Sequence, residues 1–306
     1  MEQILINLFI FAGSLFVLLK ASDFFVDAAE KIGLGLGIPP FIVGVTIVAF
    51  GTSLPELASS IEAVLIGESE IVLGNVVGSN IANLGLVLGL VAVVGRQVKI
   101  KDQVLGGDIP ILVSSAFLLW FVVHDQLITY FEAVLLLAAL AIFLVYSLNN
   151  DESEETQKTA ISWKSPTILL LAGLAIKFSA EYTVISISEL STLMGIGSEV
   201  IAQSLVALGT SLPEVFVSLA AIRRGKTDMA VGNILGSNIF NTYFVVAIPA
   251  FVGSLTVPDN MLTLGMPFLI AITLIFAVMC ISKKISRWEG MMLLLFYAFY
   301  LVELFT

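Results

Sequence analysis

Long apolar runs separated by short polar breaks make up most of this chain. A helix that crosses the hydrocarbon core of a bilayer needs about 20 apolar residues. The pattern therefore predicts an all-α integral membrane protein with ten transmembrane helices, the first and sixth continuing as amphipathic extensions to Lys31 and Thr192. The predicted bounds are 3–25, 40–66, 70–94, 104–123, 127–148, 165–190, 199–222, 228–253, 261–281 and 288–306.

One long polar segment, at 149–164, interrupts this series between the fifth and sixth predicted helices. It carries the acidic run DESEE at 151–155, and we interpret it as a solvated connector. It divides the chain into a first unit of five helices at 1–148 and a second unit of five helices at 165–306.

Composition supports the membrane assignment and excludes other classes. The chain is 58% hydrophobic and 12% charged, whereas a soluble domain carries about 25% charged residues. Its net charge of −10 comes without a basic patch, so no nucleic-acid partner is expected. The single Cys280 and the single His124 argue against an intrachain disulfide and a histidine metal site. Residues 1–3 lack the cationic start of a signal peptide, so the first apolar run is expected to remain as a helix.

The basic residues indicate the orientation of the helices. If the N-terminus lies outside, 12 of the 14 Lys and Arg residues fall in loops on the inner side, and the other two, Lys20 and Lys177, lie within helices. The outer loops contain no Lys or Arg. Cytoplasmic loops of membrane proteins carry such an excess of positive charge. We therefore predict a cell-membrane protein with both termini extracellular and the central loop in the cytoplasm.

A polar hexapeptide interrupts the second apolar run and recurs in the seventh. GTSLPE at 51–56 is repeated without change at 209–214, an offset of 158 residues. A second block, GNVVGSNIAN at 74–83, matches GNILGSNIFN at 232–241 at the same offset. Two similar units with an odd number of helices must have opposite orientations in one membrane. Inverted repeats with interrupted helices, whose substrate site lies at the repeat interface, are typical of secondary transporters.

The hexapeptide places a carboxylate, two hydroxyls, a glycine and a proline in apolar surroundings, where such residues are costly and usually functional. The alternative interpretation is a packing kink whose glutamate pairs with another helix. Gly51 permits a turn, and Pro55 cannot donate a backbone hydrogen bond. We therefore predict interrupted helices 2 and 7. The carbonyl of Ala49, and by repetition that of Ala207, would be left unpaired and open to a cation.

The polar side chains near these breaks form two equivalent sets of oxygen ligands. Ser79 and Asn83 lie one helical turn apart and so share one face of the third helix. Oxygen ligands without sulfur or imidazole suit hard cations such as Ca²⁺ and Na⁺, and Ca²⁺ takes about 6–8 of them. The candidate metal ligands are Ala49, Thr52, Ser53, Glu56, Ser79, Asn83, Ala207, Thr210, Ser211, Glu214, Ser237 and Asn241.

GTSLPE followed by GN-x-x-GSN-x-x-N, in two inverted five-helix units, resembles the α-repeats of the cation/calcium antiporters. The prokaryotic sodium/calcium exchangers are the most similar branch, and the resemblance covers nearly the whole chain. It implies a non-enzymatic antiporter that exchanges Na⁺ for Ca²⁺ by alternating access. The ligands would then line four adjacent sites, with Ca²⁺ between Glu56 and Glu214 and Na⁺ in the others. The resemblance also implies that the first and sixth helices slide as a gating pair. It implies no cofactor and no obligate protein partner. The expected partners are the transported ions and membrane lipid.

The chain departs from the family pattern at a few positions. Asn241 stands where many prokaryotic members carry aspartate. Lys20 and Lys177 lie within the predicted gating helices, and each can reach an acidic residue three or four positions later, Asp23 or Glu181. These lysines are interpreted either as side chains that snorkel near a helix end or as members of charge pairs on the gating helices.

Other functions compete with this interpretation. The same fold could exchange H⁺ for Ca²⁺ or require K⁺ in addition, although Gly78 and Gly236 replace the glutamate of the GN-x-x-E signature usual in the proton-driven branch. A cation channel would need a pore along a symmetry axis, whereas inverted halves favour alternating access. An intramembrane enzyme would need a nucleophile with a base, or a metal-bound water, and the lone His124 provides neither.

Overall fold

A computed structural model describes residues 2–102, 104–149, 164–193 and 198–304, with the backbone alone at 2, 187, 188, 191, 192 and 198–210. Apart from its two end residues, the predicted connector at 149–164 lies outside the described residues. Ten helices account for most of the described chain. They are α1 Glu2–Leu36, α2 Pro40–Leu65, α3 Glu70–Gly95, α4 Val104–Val122, α5 Tyr130–Asn149, α6 Lys164–Leu193, α7 Ser198–Arg223, α8 Thr227–Ala250, α9 Met261–Cys280 and α10 Arg287–Leu304.

Eight of the described helices, α1 to α6, α8 and α9, are long and apolar enough to cross a membrane. An all-helical, multi-pass membrane protein is therefore confirmed. The extensions predicted for the first and sixth helices are present, because α1 continues to Leu36 and α6 to Leu193. The described α7 and α10 are helices at two further predicted positions.

Two short antiparallel strand pairs join loops between helices, and the sequence did not predict them. β1 (Gln97–Lys99) pairs with β4 (Lys284–Ser286), and β2 (Leu127–Ile128) pairs with β3 (Leu255–Thr256). Strands of two or three residues are too short to show an alternating hydrophobic pattern. Each pair joins a loop of the first unit to a loop of the second, so both pairs tie the two units together.

The interruption predicted in helix α2 is present at Ser53. This residue, with φ −83° and ψ 0°, separates a helical turn at Ala49–Thr52 from a longer segment at Leu54–Leu65. The prediction that the Ala49 carbonyl is unpaired is wrong. It accepts the backbone N–H of Ser53 at 3.0 Å and the Thr52 hydroxyl at 3.3 Å. Pro55 removes only its own donor, which would reach the carbonyl of Gly51.

The interruption predicted in helix α7 is not found. The described backbone is helical from Ser198 to Arg223, with Pro213 inside the helix. A proline within a helix removes one hydrogen bond and crowds the preceding turn, which can bend the helix without ending it. The two copies of the hexapeptide therefore have the same sequence but different local backbones.

Helices α2 and α8 approach each other with backbone against backbone. A Cβ atom added at Gly232 would collide with the carbonyl oxygen of Phe41, and one added at Gly236 would collide with that of Val45. Small residues permit such close contacts between helices in membranes. The glycines of the second block thus hold a helix of the second unit directly against a helix of the first.

Replacing Gly236 by alanine is expected to destabilise the protein by about 1–3 kcal/mol, because overpacking shifts the backbone of a close-packed core. The matched control is Gly13→Ala on α1, where no described atom lies within 4 Å of an added Cβ. Thermal unfolding in detergent should show a lower midpoint for Gly236→Ala and an unchanged one for Gly13→Ala. Equal midpoints would show that α2 and α8 can move apart freely.

Burial differs greatly between the helices. In the apolar window of each helix, 89% of α8 and 83% of α3 are buried, against 11% of α1 and 28% of α6. The most extensive contact of α1 is with α6. The described helices therefore form a packed body around α3 and α8, with α1 and α6 lying together at its outside.

Ion pairs tie the end of α1 to the loop between α7 and α8. Arg224 lies 2.9 Å from Asp27 and 3.5 Å from Asp23, and Lys226 contacts Glu30. The three acidic residues recur every three or four positions and so share one face of α1. These ion pairs link a peripheral helix of the first unit to a loop of the second.

The charge pairs suggested for Lys20 and Lys177 are not found among the described ion pairs. Asp23 pairs with Arg224 instead of Lys20. The amino group of Lys177 lies 5.7 Å from the ring centroid of Phe178, and both lysines are exposed. This arrangement favours the snorkelling interpretation, in which the charged end leaves the apolar surface.

Candidate cation-binding site

Ten of the twelve predicted ligand residues have described side chains, and all ten are at most 3% exposed. They lie on the four helices α2, α3, α7 and α8. Ala207 and Thr210 belong to α7, but their side chains lie outside the described residues. The ten are Ala49, Thr52, Ser53, Glu56, Ser79, Asn83, Ser211, Glu214, Ser237 and Asn241.

Glu56 on α2 and Glu214 on α7 supply one carboxylate from each unit. Both side chains are fully buried, and neither carboxylate has a hydrogen-bond partner in the described part of the chain. Thr52 lies beside Glu214 but without the geometry of a hydrogen bond. The two carboxylates are close enough to repel each other. Buried like charges without a counter-charge are strongly unfavourable, so this pair favours a bound cation.

Asn83 on α3 and Asn241 on α8 supply one amide from each unit. Both are fully buried, and neither the oxygen nor the nitrogen of either side chain has a hydrogen-bond partner within the described chain. Each asparagine begins a π-helical segment, Asn83–Val87 or Asn241–Val245. Single π-helical turns inside α-helices occur frequently at functional sites. The amide oxygens are therefore available as ligands.

Hydroxyl groups connect the two units at the site. Thr52 Oγ1 lies 3.2 Å from Ser237 Oγ, and Ser211 Oγ donates to Ser79 Oγ at 3.2 Å. Ser53 Oγ is buried without a described partner. Because each contact joins a residue of the first unit to one of the second, the two predicted half-sites are brought together.

Asn75 and Asn233 take part in this arrangement, although the sequence did not single them out as functional residues. The Asn75 amide nitrogen donates to the backbone carbonyl of Glu56 at 3.1 Å and to Ser60 Oγ at 3.1 Å. The Asn233 amide nitrogen donates to Ser218 Oγ at 2.9 Å. The sequence signal that could have identified them is their position at the start of each repeated block. Their hydrogen-bond partners could not be predicted, because these lie on other helices.

The described oxygens have the chemistry that a hard cation requires. The candidate ligands are carboxylate, amide, hydroxyl and carbonyl oxygens, which suit Ca²⁺ and Na⁺. No group of three or more His, Cys, Asp and Glu residues that could hold a metal occurs among the described residues. Among its described residues, the candidate site thus combines two carboxylates, one from each unit, with several neutral oxygens.

Known proteins resemble this chain over both units. A family model described as "Sodium/calcium exchanger protein" matches residues 6–149 and 164–306. Sodium/calcium exchanger MaX1 of Methanosarcina acetivorans is 34% identical, with 99% of each sequence covered. Human sodium/potassium/calcium exchanger 2 is 30% identical over 46% of this chain and 21% of its own length. A structure of the sodium-calcium exchanger NCX_Mj soaked with Na⁺ and Sr²⁺ matches with a TM-score of 0.86 at 28% identity, covering 98% of this chain and 99% of that chain.

Proposed function

This chain belongs to the sodium/calcium exchanger protein family, and we propose that it is a secondary antiporter that exchanges Na⁺ for Ca²⁺ across the cell membrane by alternating access. The observation that carries the proposal is the pair of buried carboxylates, Glu56 and Glu214, which lie close enough to repel each other and have no described counter-charge. A divalent cation between them would neutralise both, and so would two monovalent cations. The same site can therefore bind either ion in turn.

We propose that all ten helices cross the membrane, as two inverted repeats at 1–148 and 165–306. The strand pairs support this arrangement. The offset of 158 residues places β1 onto 255–257, at β3, and β2 onto 285–286, within β4. Because β1 pairs with β4 and β2 with β3, the two pairs exchange places under the repeat, as a two-fold relation between inverted units requires.

The proposed orientation places both termini outside and the connector at 149–164 in the cytoplasm. It is supported by the described ion pairs. In these pairs, Lys and Arg residues of the loops predicted to lie inside contact the acidic residues Asp23, Asp27, Glu30, Asp102 and Asp228. Labelling of a tag at either terminus of intact cells measures the orientation. A tag that is reached only after the cells are opened would reverse it.

We assign all twelve predicted residues to the ion path, with Ca²⁺ between Glu56 and Glu214 and Na⁺ in the adjacent positions. The unpartnered oxygens of Ser53, Asn83 and Asn241 support this assignment. The Ala49 carbonyl can join only when the Thr52 hydroxyl donates elsewhere, because its two lone pairs otherwise accept the Ser53 N–H and the Thr52 hydroxyl. Ala207 and Thr210 are included by their equivalence to Ala49 and Thr52.

A second candidate is Na⁺/Ca²⁺ exchange that also requires K⁺. It is favoured by the likeness of 46% of this chain to a human protein named as a sodium/potassium/calcium exchanger. Uptake of ⁴⁵Ca²⁺ into proteoliposomes, with Na⁺, K⁺ or H⁺ gradients imposed one at a time, separates the candidates. We expect uptake driven by an outward Na⁺ gradient alone. Uptake that needs K⁺ would favour the second candidate, uptake driven by H⁺ alone would favour proton coupling, and uptake without any counter-ion would indicate a channel.

Exchange is expected to be electrogenic and to depend less on pH near neutrality than exchange by an Asn241→Asp variant. With both glutamates ionised the site has a charge of −2, which one Ca²⁺ neutralises. Three Na⁺, the number implied by the family resemblance, leave it at +1. Amide groups at Asn83 and Asn241 do not titrate, so they add no dependence on pH. Na⁺-driven flux should therefore respond to a membrane potential set with valinomycin.

The control for this prediction is Asn241→Asp, which adds a third carboxylate to the same site. That group can take up a proton, so flux in the variant should vary more between about pH 6 and 8 than flux in the native protein. A native flux that ignores the membrane potential would contradict the three-to-one charge count. Equal pH profiles would show that position 241 lies outside the ion path.

A further inference from the structure

Asn233 on α8 is a buried side chain that touches both glutamate-bearing helices. It is 1% exposed, its amide oxygen lies within hydrogen-bond distance of the Thr52 hydroxyl of α2, at 3.3 Å, and its amide nitrogen donates to Ser218 of α7 at 2.9 Å. We infer that Asn233 is a positioning residue, which accepts the proton of Thr52 and so leaves the oxygens of Thr52 and Ala49 open to a transported cation. The inference rests on the proposed function, in which Thr52 and Ala49 are ligands.

The chemistry of a hydroxyl group makes an acceptor of this kind necessary. Thr52 has one proton and two lone pairs, and a cation bound at its oxygen repels the proton. A threonine inside a helix usually donates to a carbonyl three or four residues earlier. For Thr52 that acceptor is the Ala49 carbonyl, 3.3 Å away. Donation there would occupy a second proposed ligand, so one proton would obstruct two oxygens.

Asn233 offers the proton another acceptor at the same distance. Its amide oxygen lies 3.3 Å from Thr52 Oγ1. The neighbouring Ser237 hydroxyl, at 3.2 Å, is itself a proposed ligand, and Glu214 lies close by without hydrogen-bond geometry. Donation to either of these groups would occupy a lone pair of another proposed ion ligand. Donation to Asn233 directs it away from the ion, and both oxygens then keep a free lone pair.

Ser218 fixes the direction of the Asn233 amide. Because the amide nitrogen donates to Ser218 Oγ at 2.9 Å, the amide oxygen is turned toward Thr52. Ser218 lies one helical turn after Glu214 on α7, so the same hydrogen bond holds α8 against the helix that carries the second carboxylate. The contact that draws the Thr52 proton away from the Ala49 carbonyl therefore comes from the second unit.

The other asparagines of the two blocks have different contacts. Asn238 donates to the carbonyl of Ile234 in its own helix at 2.7 Å, and its oxygen has no described partner. Asn83 and Asn241 have no described partner at either atom. None of the described hydrogen bonds of the Asn238 side chain involves a proposed ligand. Asn238 therefore serves as a matched control.

The test is a double-variant cycle between Asn233 and Thr52. Asn233→Leu should raise the KM for Na⁺ and Ca²⁺ about tenfold, the effect of losing one hydrogen bond to an ion ligand, with maximal rate nearly unchanged. In a Thr52→Val background, which has no hydroxyl proton, Asn233→Leu should have no further effect on KM. In a Thr52→Ser background, which keeps the hydroxyl, the tenfold effect should persist. Asn238→Leu should leave KM unchanged in all three backgrounds.

The outcomes separate the inference from the proposed function. A Thr52→Val variant with native KM would remove Thr52 from the ion path and contradict the proposed site. A second outcome would overturn the inference but leave the proposed function standing. In that outcome Thr52→Val raises KM, and Asn233→Leu changes KM by the same factor whether or not the Thr52 hydroxyl is present. If Asn233→Leu does not give a single peak in size-exclusion chromatography, Ser218→Ala replaces it. That variant frees the amide to rotate and should raise KM in the same direction, again only when Thr52 keeps its hydroxyl.

Discussion

Replacing either Glu56 or Glu214 by glutamine is expected to abolish Na⁺-driven Ca²⁺ exchange while leaving the protein folded. Glutamine has nearly the same shape, so the packing of these fully buried side chains is kept. The site would, however, hold a divalent ion with only one opposing charge. Loss of a buried charge partner costs about 3–5 kcal/mol, which corresponds to a loss of affinity of roughly a hundred-fold to several thousand-fold.

The measurement is ⁴⁵Ca²⁺ uptake into proteoliposomes containing each purified variant. Glu62→Gln is the matched control, because Glu62 lies on the same helix as Glu56 but is exposed. It removes one negative charge without touching the site, so its uptake should equal that of the native protein. Uptake near the native level in Glu56→Gln or Glu214→Gln would mean that the ion path lies elsewhere.

Linking α1 covalently to the packed body is expected to stop transport reversibly. We propose that α1 and α6 slide together, since they contact each other extensively and only 11% and 28% of their apolar windows are buried. Glu30 and Lys226 contact each other across the boundary between α1 and that body. With Cys280 replaced by alanine, cysteines at these two positions can be joined by a short bifunctional methanethiosulfonate. Turnover should fall to background and return after reduction.

The control crosslink joins two positions that both belong to the packed body. Lys101, before α4, lies 2.8 Å from Asp228 on α8, so a Lys101→Cys, Asp228→Cys pair can react with the same reagent. That crosslink should leave turnover unchanged. Native turnover in the crosslinked Glu30→Cys, Lys226→Cys protein would show that this end of α1 does not move during exchange.

The family and the helices could be predicted because their signals are local or repeated. Apolar length alone located the helices, and the unchanged copy of GTSLPE indicated the polar positions that we predict as ligands. The comparisons with known proteins confirm the family inferred from these motifs. Glu56 and Glu214 are both fully buried and close enough to repel each other, which agrees with the ion-binding role predicted for them.

Features that depend on contacts between the two units could not be predicted. The partners of Asn233 lie on α2 and α7, and the sequence gives no indication of which helix each amide group meets. The backbone at Ser53 and Pro213 is another example, because identical hexapeptides end a helical segment in one unit and continue it in the other. Tertiary surroundings, which differ between the two copies, decide such local outcomes.

The low burial of α1 and α6 has a consequence for how the surrounding lipid acts on this protein. In a bilayer their outer surfaces face acyl chains, which are as apolar as leucine side chains, so no hydrophobic force presses the two helices onto the packed body. When they slide, one set of acyl-chain contacts is exchanged for an equivalent set. The thickness and fluidity of the bilayer then determine how freely the pair moves, and the rate of exchange becomes a property of the membrane as well as of the chain.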